Sequence, residues 1–163
     1  MDDATALLEI EAIKQLKARY CRYLDTKDWS AWRGIFTDDF LSDTSSAGGK
    51  VIRGADHFVA FTRKGVGQRA TAHQVHAPEI ELTSATTARG IWALEDVVRL
   101  APGVNLRGYG HYHETYEKFD GQWRITSSTL TRLREDIFNM FISVYVSPRF
   151  RDAIGKAARR MMR

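Results

Sequence analysis

The sequence predicts an α+β protein in which helices come first and a curved, mostly antiparallel sheet follows. Through the first third of the chain, apolar residues recur every three or four positions, the spacing of amphipathic helices. After Gly67 the spacing changes to every second position, which is typical of strands with one buried face. Asp120-Gly121 stands between two β-rich segments and is a strong signal for a two-residue hairpin turn. Helices followed by a meander favour this class over a parallel, doubly wound sheet.

Three helices are expected before Gly67. The first covers about residues 5–26 and carries an apolar stripe, with charged side chains on much of the remaining surface. The stripe consists of Leu7, Ile10, Ile13, Leu16, Tyr20, Tyr23 and Leu24, and the charged residues are Glu9, Glu11, Lys14, Lys17 and Arg19. Asp28 can cap a second, short helix whose buried side would be Trp29, Trp32, Ile35 and Phe36. A loop from Asp38 to Gly49 follows, and the third helix begins at Gly54-Ala55-Asp56.

Four long strands are expected at about residues 70–82, 88–99, 105–119 and 122–134, separated by turn residues. A short extended piece at 141–146 and a basic helix at about 149–163 would complete the chain. No repeat, low-complexity tract or linker interrupts residues 1–163, so we expect a single domain. A curved sheet with helices laid across one face encloses a cavity, and such cavities commonly bind small molecules.

The charge distribution argues against nucleic acid as a partner. The formal net charge is +4, but the segment from Pro148 to the end holds six basic residues and one acidic residue, which leaves the rest nearly neutral. No nucleic-acid recognition motif accompanies this basic tail. We interpret the tail as a helix that packs on its own or a neighbouring subunit, with a membrane-surface or acidic-partner contact as the alternative.

The remaining composition favours a cytoplasmic protein. No apolar run approaches the roughly 20 residues of a membrane span, and Met1-Asp2-Asp3 does not begin a secretory signal. Cys21 is the only cysteine, which excludes an intrachain disulfide and a cysteine-rich zinc site.

Asp25 and His73 are the candidate catalytic residues. Asp25 lies at the end of the first predicted helix, beside its apolar stripe, where an unpaired carboxylate would be costly. His73 shares a strand face with Val75 and Ala77, and we expect that face to point inward. If Asp25 accepts a hydrogen bond from one imidazole nitrogen, the other becomes a general base near neutral pH. The alternatives are a hydrogen-bonded core histidine and a helix-end aspartate that binds water.

Three stretches resemble the SnoaL-like branch of the nuclear-transport-factor-2-like superfamily, over about residues 5–135. They are residues 20–29 (YCRYLDTKDW), residues 73–75 (HQV) with 79–82 (EIEL), and residues 116–125 (YEKFDGQWRI). The resemblance implies a cone-shaped α+β barrel. Members include cofactor-free lyases that use an Asp–His dyad for elimination, and Asp25 and His73 fall on the dyad positions. No cofactor is implied.

The resemblance also implies polar residues in the pocket besides the dyad. Members of the branch place a pocket tyrosine at Tyr20 and an acidic pocket residue at Asp96, which would be a leaving-group acid or a second orienting group. Core packing of Tyr20 and a salt bridge of Asp96 are the alternatives. Trp32, Phe58, Leu94 and Tyr109 are candidate wall residues. Relatives also place basic or amide side chains near Ser127, Thr129, Thr131 and Arg132, but the sequence does not fix the register there.

His111, His113 and Glu117 share one strand face and could form a metal site. The glycine and proline pattern of cupin metal sites is missing, so we expect no metal and place these histidines on the other face of the sheet or at a subunit contact.

The sequence therefore favours a cofactor-independent lyase (a dehydratase or a related elimination enzyme) or isomerase acting on a small, hydrophobic, cyclic molecule. A non-catalytic ligand-binding or assembly module, or a small subunit like those of ring-hydroxylating dioxygenases, would use the same fold. The resemblance implies self-association as a trimer or a dimer.

Overall fold

The computed structural model describes residues 2–145 and Arg149, and its architecture is the predicted α+β class. The helices are α1 (Asp3–Thr26), α2 (Trp29–Arg33) and α3 (Ala55–Val66). The strands are β1 (Phe36–Asp43), β2 (Val51–Arg53), β3 (Thr71–Leu82), β4 (Thr87–Ala101), β5 (Val104–Phe119), β6 (Gln122–Phe138) and β7 (Ser143–Tyr145). The predicted basic helix lies outside the described residues, apart from Arg149.

The strands form one curved sheet in the order β2-β1-β6-β5-β4-β3, with β7 paired to β6. All pairs are antiparallel except β1 and β6, which run parallel. Helix α1 packs across β3, and α3 packs against β1. The helices and the inner face of the sheet thus enclose a cone. No helix in the described part of the chain combines the length and apolar character of a membrane crossing.

The prediction for residues 35–43 is wrong. The second helix ends at Arg33, and Phe36 begins a strand where the sequence predicted first helix and then loop. Phe36, Phe40 and Ser42 are buried, whereas Asp38 and Asp39 are exposed. The parallel pairing of β1 with β6 imposes the strand, because β6 offers its backbone groups to a segment of weak intrinsic strand preference.

The ends of α1 are well defined. Asp2 Oδ1 accepts a hydrogen bond from the backbone N–H of Thr5 at 2.8 Å and caps the N-terminus. At the other end, Lys27 adopts the left-handed conformation with φ 64° and ψ 27° and closes the helix through bonds from its N–H to the last carbonyls. Asp25 therefore occupies the last turn at a fixed orientation.

Two local irregularities decide side-chain direction in the sheet. Asp120 (φ 49°) and Gly121 (φ 77°) make the predicted hairpin turn between β5 and β6. In β3 the register shifts between His76 and Glu79, and Ala77 takes a φ of 37°. This bulge leaves Ala77 exposed, so the prediction that it shares the inward face with His73 is wrong.

The core lies between the helices and the inner face of the sheet. Its centre is a cluster of aromatic rings whose centroids lie 4.4 to 6.0 Å apart. The cluster comprises Tyr20, Trp32, Phe36, Phe40 and Phe58. These rings fix the positions of α1, α2 and α3 on the sheet and form the floor of the site.

Candidate active site

Asp25 and His73 are in direct contact. The imidazole Nδ1 of His73 lies 2.7 Å from Asp25 Oδ1, and the backbone N–H of His73 donates to Asp25 Oδ2 at 2.7 Å. Thr71 Oγ1 donates to Oδ1 at 2.8 Å. Burial would raise the pKa of Asp25, but the hydrogen bonds and charge of His73 and the bond from Thr71 lower that pKa below its ordinary value. The carboxylate is therefore held ionised and oriented.

This contact determines which imidazole nitrogen carries the proton. An ionised carboxylate only accepts hydrogen bonds, so the nitrogen that faces it must be the donor. With the proton on Nδ1, the Nε2 atom of neutral His73 has a free lone pair. The pair has the arrangement of a general base with its orienting carboxylate.

His73 lies in the wall of a cavity of about 190 Å³. The cavity is bounded by α1, α2 and α3 on one side and by β1, β3, β4, β5 and β6 on the other. Its apolar wall consists of Leu24, Trp32, Phe58, Val66, Val98 and Leu130. Its polar wall consists of Tyr20, Ser42, Thr44, Thr62, His73, Asp96, Tyr112, Ser128 and Arg132. An apolar chamber with a few converging polar groups is a common form of small-molecule site.

Of the predicted wall and pocket residues, Tyr20, Trp32, Phe58 and Asp96 line this cavity. Leu94 is buried on the inner face but belongs to the core and does not reach the cavity. The prediction for Tyr109 is wrong. Along β5 every second residue from Gly108 to Tyr116 is buried, so Tyr109 lies on the outer face of the sheet.

Asp96 forms an ion pair with Arg132. Arg132 Nη1 and Nη2 donate to the two carboxylate oxygens at 3.1 and 2.6 Å, and both side chains are almost fully buried. The geometry is bidentate, the strong form of this contact. Asp96 thus adopts the salt-bridged alternative, and Arg132 joins the site from β6, where the sequence did not fix the register. Gly108 lies beneath the pair, and any side chain there would collide with it.

The family model of the SnoaL-like domain matches residues 5–129 of the chain. The chain belongs to the SnoaL-like family. Among curated proteins it is 27% identical over 133 residues to "Probable cyclase FGR4" of Gibberella zeae, covering 74% of this chain and 89% of the relative.

Solved structures share the fold of this SnoaL-like domain. The "Putative Scytalone Dehydratase" of Novosphingobium aromaticivorans superposes with a TM-score of 0.76 at 22% identity, covering 86% of this chain and 93% of the other. The hexachlorocyclohexane dehydrochlorinase LinA-type3 of Novosphingobium barchaimii has a TM-score of 0.72 at 18% identity, covering 90% and 95% of the two chains. At these identities the likeness establishes the fold alone.

A second buried ion pair contacts two residues of the cavity wall, Tyr20 and Ser128, in this SnoaL-like domain. Lys17 Nζ donates to Glu114 Oε1 at 2.5 Å, and both side chains are fully buried. The other carboxylate oxygen, Oε2, accepts from the Tyr116 hydroxyl at 2.7 Å, and Ser128 Oγ donates to Oε1 at 3.0 Å. Lys17 Nζ also lies 4.1 Å from the ring centroid of Tyr20. This network anchors the ring of a cavity residue.

The sequence interpretation placed Lys17 on the charged surface of α1, which is wrong. Lys17 is four residues after Ile13 and three before Tyr20, so it belongs to the buried stripe. This spacing was the sequence signal from which the burial of Lys17 could have been predicted. The buried partner, Glu114, lies 97 residues away on β5 and could not be read from the local pattern.

The other histidines lie away from the cavity. His113 borders a wider, open groove of about 670 Å³ on the outer face of the sheet, together with Glu81, Arg89 and Thr129. Within residues 2–145 and Arg149, no group of three or more His, Cys, Asp or Glu side chains could hold a metal ion. The SnoaL-like domain therefore concentrates its candidate chemistry at Asp25 and His73.

Proposed function

We propose that this chain is a cofactor-independent lyase or isomerase that removes a proton from carbon in a small, largely apolar, cyclic molecule. The observation that carries the proposal is the 2.7 Å contact between Asp25 and His73 at the wall of the small cavity. The fold also occurs in proteins named as a dehydratase and a dehydrochlorinase, and a relative is named as a cyclase.

In the proposed reaction, the Nε2 atom of His73 takes the proton from a carbon next to the one that bears the leaving group. The electrons of the broken C–H bond form the new double bond, and the leaving group departs with its own bonding pair. The imidazolium that forms is stabilised by the negative charge of Asp25. For loss of water, the proton on His73 passes to the departing hydroxide; for isomerisation, it returns to another carbon of the substrate.

The tyrosines of the cavity can act as hydrogen-bond donors in this scheme. Burial raises the pKa of Tyr20 well above its ordinary value, and the Tyr112 and Glu114 side chains raise it further. Burial likewise raises the pKa of Tyr112. Both phenols therefore stay protonated and can donate to an oxygen of the substrate or to the leaving group.

The cavity limits the size of the substrate. Its volume of about 190 Å³ is below the ~300–1,000 Å³ usual for drug-sized ligands. A molecule with one ring and few substituents fits this volume. The wall of Leu24, Phe58, Val98 and Leu130 favours an apolar ring.

The test is turnover of a panel of single-ring alcohols and chlorides, with loss of water or hydrogen chloride followed by mass spectrometry. We expect H73Q and D25N to lose roughly 10²- to 10⁴-fold in rate, the usual contribution of a general base. H76Q and D39N are the matched controls, because both residues are exposed and outside the cavity lining. Full turnover by H73Q and D25N would refute the mechanism. Binding of the panel without turnover by the wild type would favour the non-catalytic module.

A further inference from the structure

The residue that ends α1 has an unusual backbone conformation for its type. Lys27 has a φ of 64°, and within the described residues only Ala77 and Asp120 share a positive φ without being glycine. The left-handed conformation is unfavourable for a residue with a Cβ, and helices usually place glycine at this position. A lysine here indicates that its side chain contributes something that glycine could not.

The Lys27 side chain is directed toward the dyad. Its Nζ donates to Thr71 Oγ1 at 2.7 Å and to the carbonyl of Leu24 at 3.2 Å. Thr71 Oγ1 in turn donates to Asp25 Oδ1, the same oxygen that lies 2.7 Å from His73 Nδ1. A continuous line of hydrogen bonds therefore runs from Lys27 through Thr71 and Asp25 to His73.

The Lys27 ammonium group determines which atom donates in each hydrogen bond of this series. An ammonium group has three donors and no acceptor, so Thr71 Oγ1 must accept from Lys27. The one hydroxyl proton of Thr71 is then available only to Asp25. Asp25 Oδ1 receives this bond and is held in line with the Nδ1–H of His73.

We propose that Lys27 and Thr71 are positioning residues of the dyad, which hold the Asp25 carboxylate so that His73 carries its proton on Nδ1. The inference rests on the proposed function of the dyad. Neither side chain lines the cavity, so both act through Asp25 and not on the substrate.

The other charged and titratable groups near the dyad come from three elements. Asp96 lies directly opposite His73 in the register of β3 and β4, but its charge is matched by Arg132 from β6. From α1, Cys21 is a buried thiol whose pKa burial raises to about 11, so it stays neutral. Tyr20, also from α1, is a protonated phenol. None of these groups donates to either oxygen of Asp25 in the described structure.

The test measures the tautomer of His73 and the pKa of Asp25 directly and needs no substrate. Long-range proton–nitrogen spectra give the tautomer of His73, and the titration of the Asp25 carboxyl carbon gives the pKa of Asp25. The proteins are the wild type, K27G, T71V and T71S, with K64M as the control for loss of an exposed lysine.

In the wild type we expect the Nδ1–H tautomer. In K27G and T71V its excess over the other tautomer should fall roughly 2- to 10-fold, the factor that corresponds to one net hydrogen bond. T71V should raise the pKa of Asp25, because the hydrogen bond from Thr71 lowers it. T71S keeps the hydroxyl and should therefore show the wild-type tautomer of His73 and the wild-type pKa of Asp25. K64M should change neither quantity. K27G relieves the backbone strain, so it should keep or gain stability while it disturbs the dyad.

Wild-type spectra in folded K27G and T71V would overturn the positioning role and leave the proposed function intact. If instead the spectrum of the wild-type protein showed the His73 proton on Nε2, this result would count against the proposed function itself.

Discussion

His73 contacts Asp25 at two points: its ring Nδ1 lies 2.7 Å from Oδ1, and its backbone N–H donates to Oδ2 at 2.7 Å. Because the two residues are 48 positions apart, this double contact ties the end of α1 to the start of β3. The carboxylate thus serves both the fold and the proposed chemistry, and its substitution should be visible in stability as well as in turnover.

The stability contributed by Asp25 should depend on pH. The folded state lowers the pKa of Asp25 below its ordinary 3.8, so the contribution is present above that pH and is lost as pH falls through the folded pKa. We expect the difference in free energy of unfolding between wild type and D25N to be largest near neutral pH and to shrink below about pH 3.8. Urea unfolding between pH 3 and 7 measures it. A difference that widens on acidification would contradict the assignment.

The Lys17–Glu114 pair should show strong coupling. Removal of one partner of a buried ion pair typically costs about 3–5 kcal/mol, because the other charge remains buried without compensation. We expect K17M to be destabilised in this range and the double variant K17M/E114Q to lose clearly less than the sum of the single changes. K14M is the control, since Lys14 is exposed on the same helix and should change stability by less than about 0.5 kcal/mol. Additive single effects would exclude the coupling.

Gly108 should be required by the ion pair above it. A Cβ at this position would collide with Arg132 Nη1 and Asp96 Oδ1, whereas a Cβ at Gly65 in α3 meets nothing within 4 Å. We expect G108A to cost about 1–3 kcal/mol through overpacking and displacement of Arg132. G65A should be neutral or stabilising, because alanine is preferred inside helices. Equal thermal stability of the two variants would show that the pair can move without cost.

The two buried indoles should respond differently to substitution. Trp92 Nε1 donates to the Tyr116 hydroxyl at 2.7 Å, while Trp32 Nε1 has no hydrogen-bond partner among the described residues. W92F removes the N–H that donates to the Tyr116 hydroxyl oxygen, whereas W32F removes a donor that is already unsatisfied. We therefore expect W92F to be the more destabilising change in chemical denaturation. The reverse order would indicate that the Trp32 N–H has a partner that the contacts do not show.

Local signals in the sequence were sufficient for most of the fold. The stripe through Ile13, Tyr20 and Leu24 predicted α1, and Asp120-Gly121 predicted the turn between β5 and β6. Strand β1 was missed because Phe36–Asp43 has a polar, aspartate-rich sequence. Its conformation comes from pairing with β6, about 90 residues later, and such a distant partner leaves no local pattern.

The site was predictable where a residue type was out of place and not where the partner was remote. The pattern singled out Asp25 beside an apolar stripe and His73 on an inward strand face. The resemblance to the SnoaL-like branch paired them as a dyad, and the structure brings them together. Arg132 could not be assigned, because a register shift between Tyr109 and Gly110 changes its alignment with β5. Lys17 was assigned to the surface because an internal lysine is uncommon, although its spacing indicated burial.

The most direct test of the proposed mechanism is the nitrogen spectrum of the His73 ring in the wild-type protein at neutral pH, with exposed His76 as an internal reference. We predict a proton on Nδ1 that exchanges slowly and an Nε2 with the shift of an unprotonated nitrogen, and we predict that D25N abolishes this preference. A ring protonated on Nε2, or one that averages between the two tautomers, would contradict the claim that Asp25 prepares His73 to act as a base.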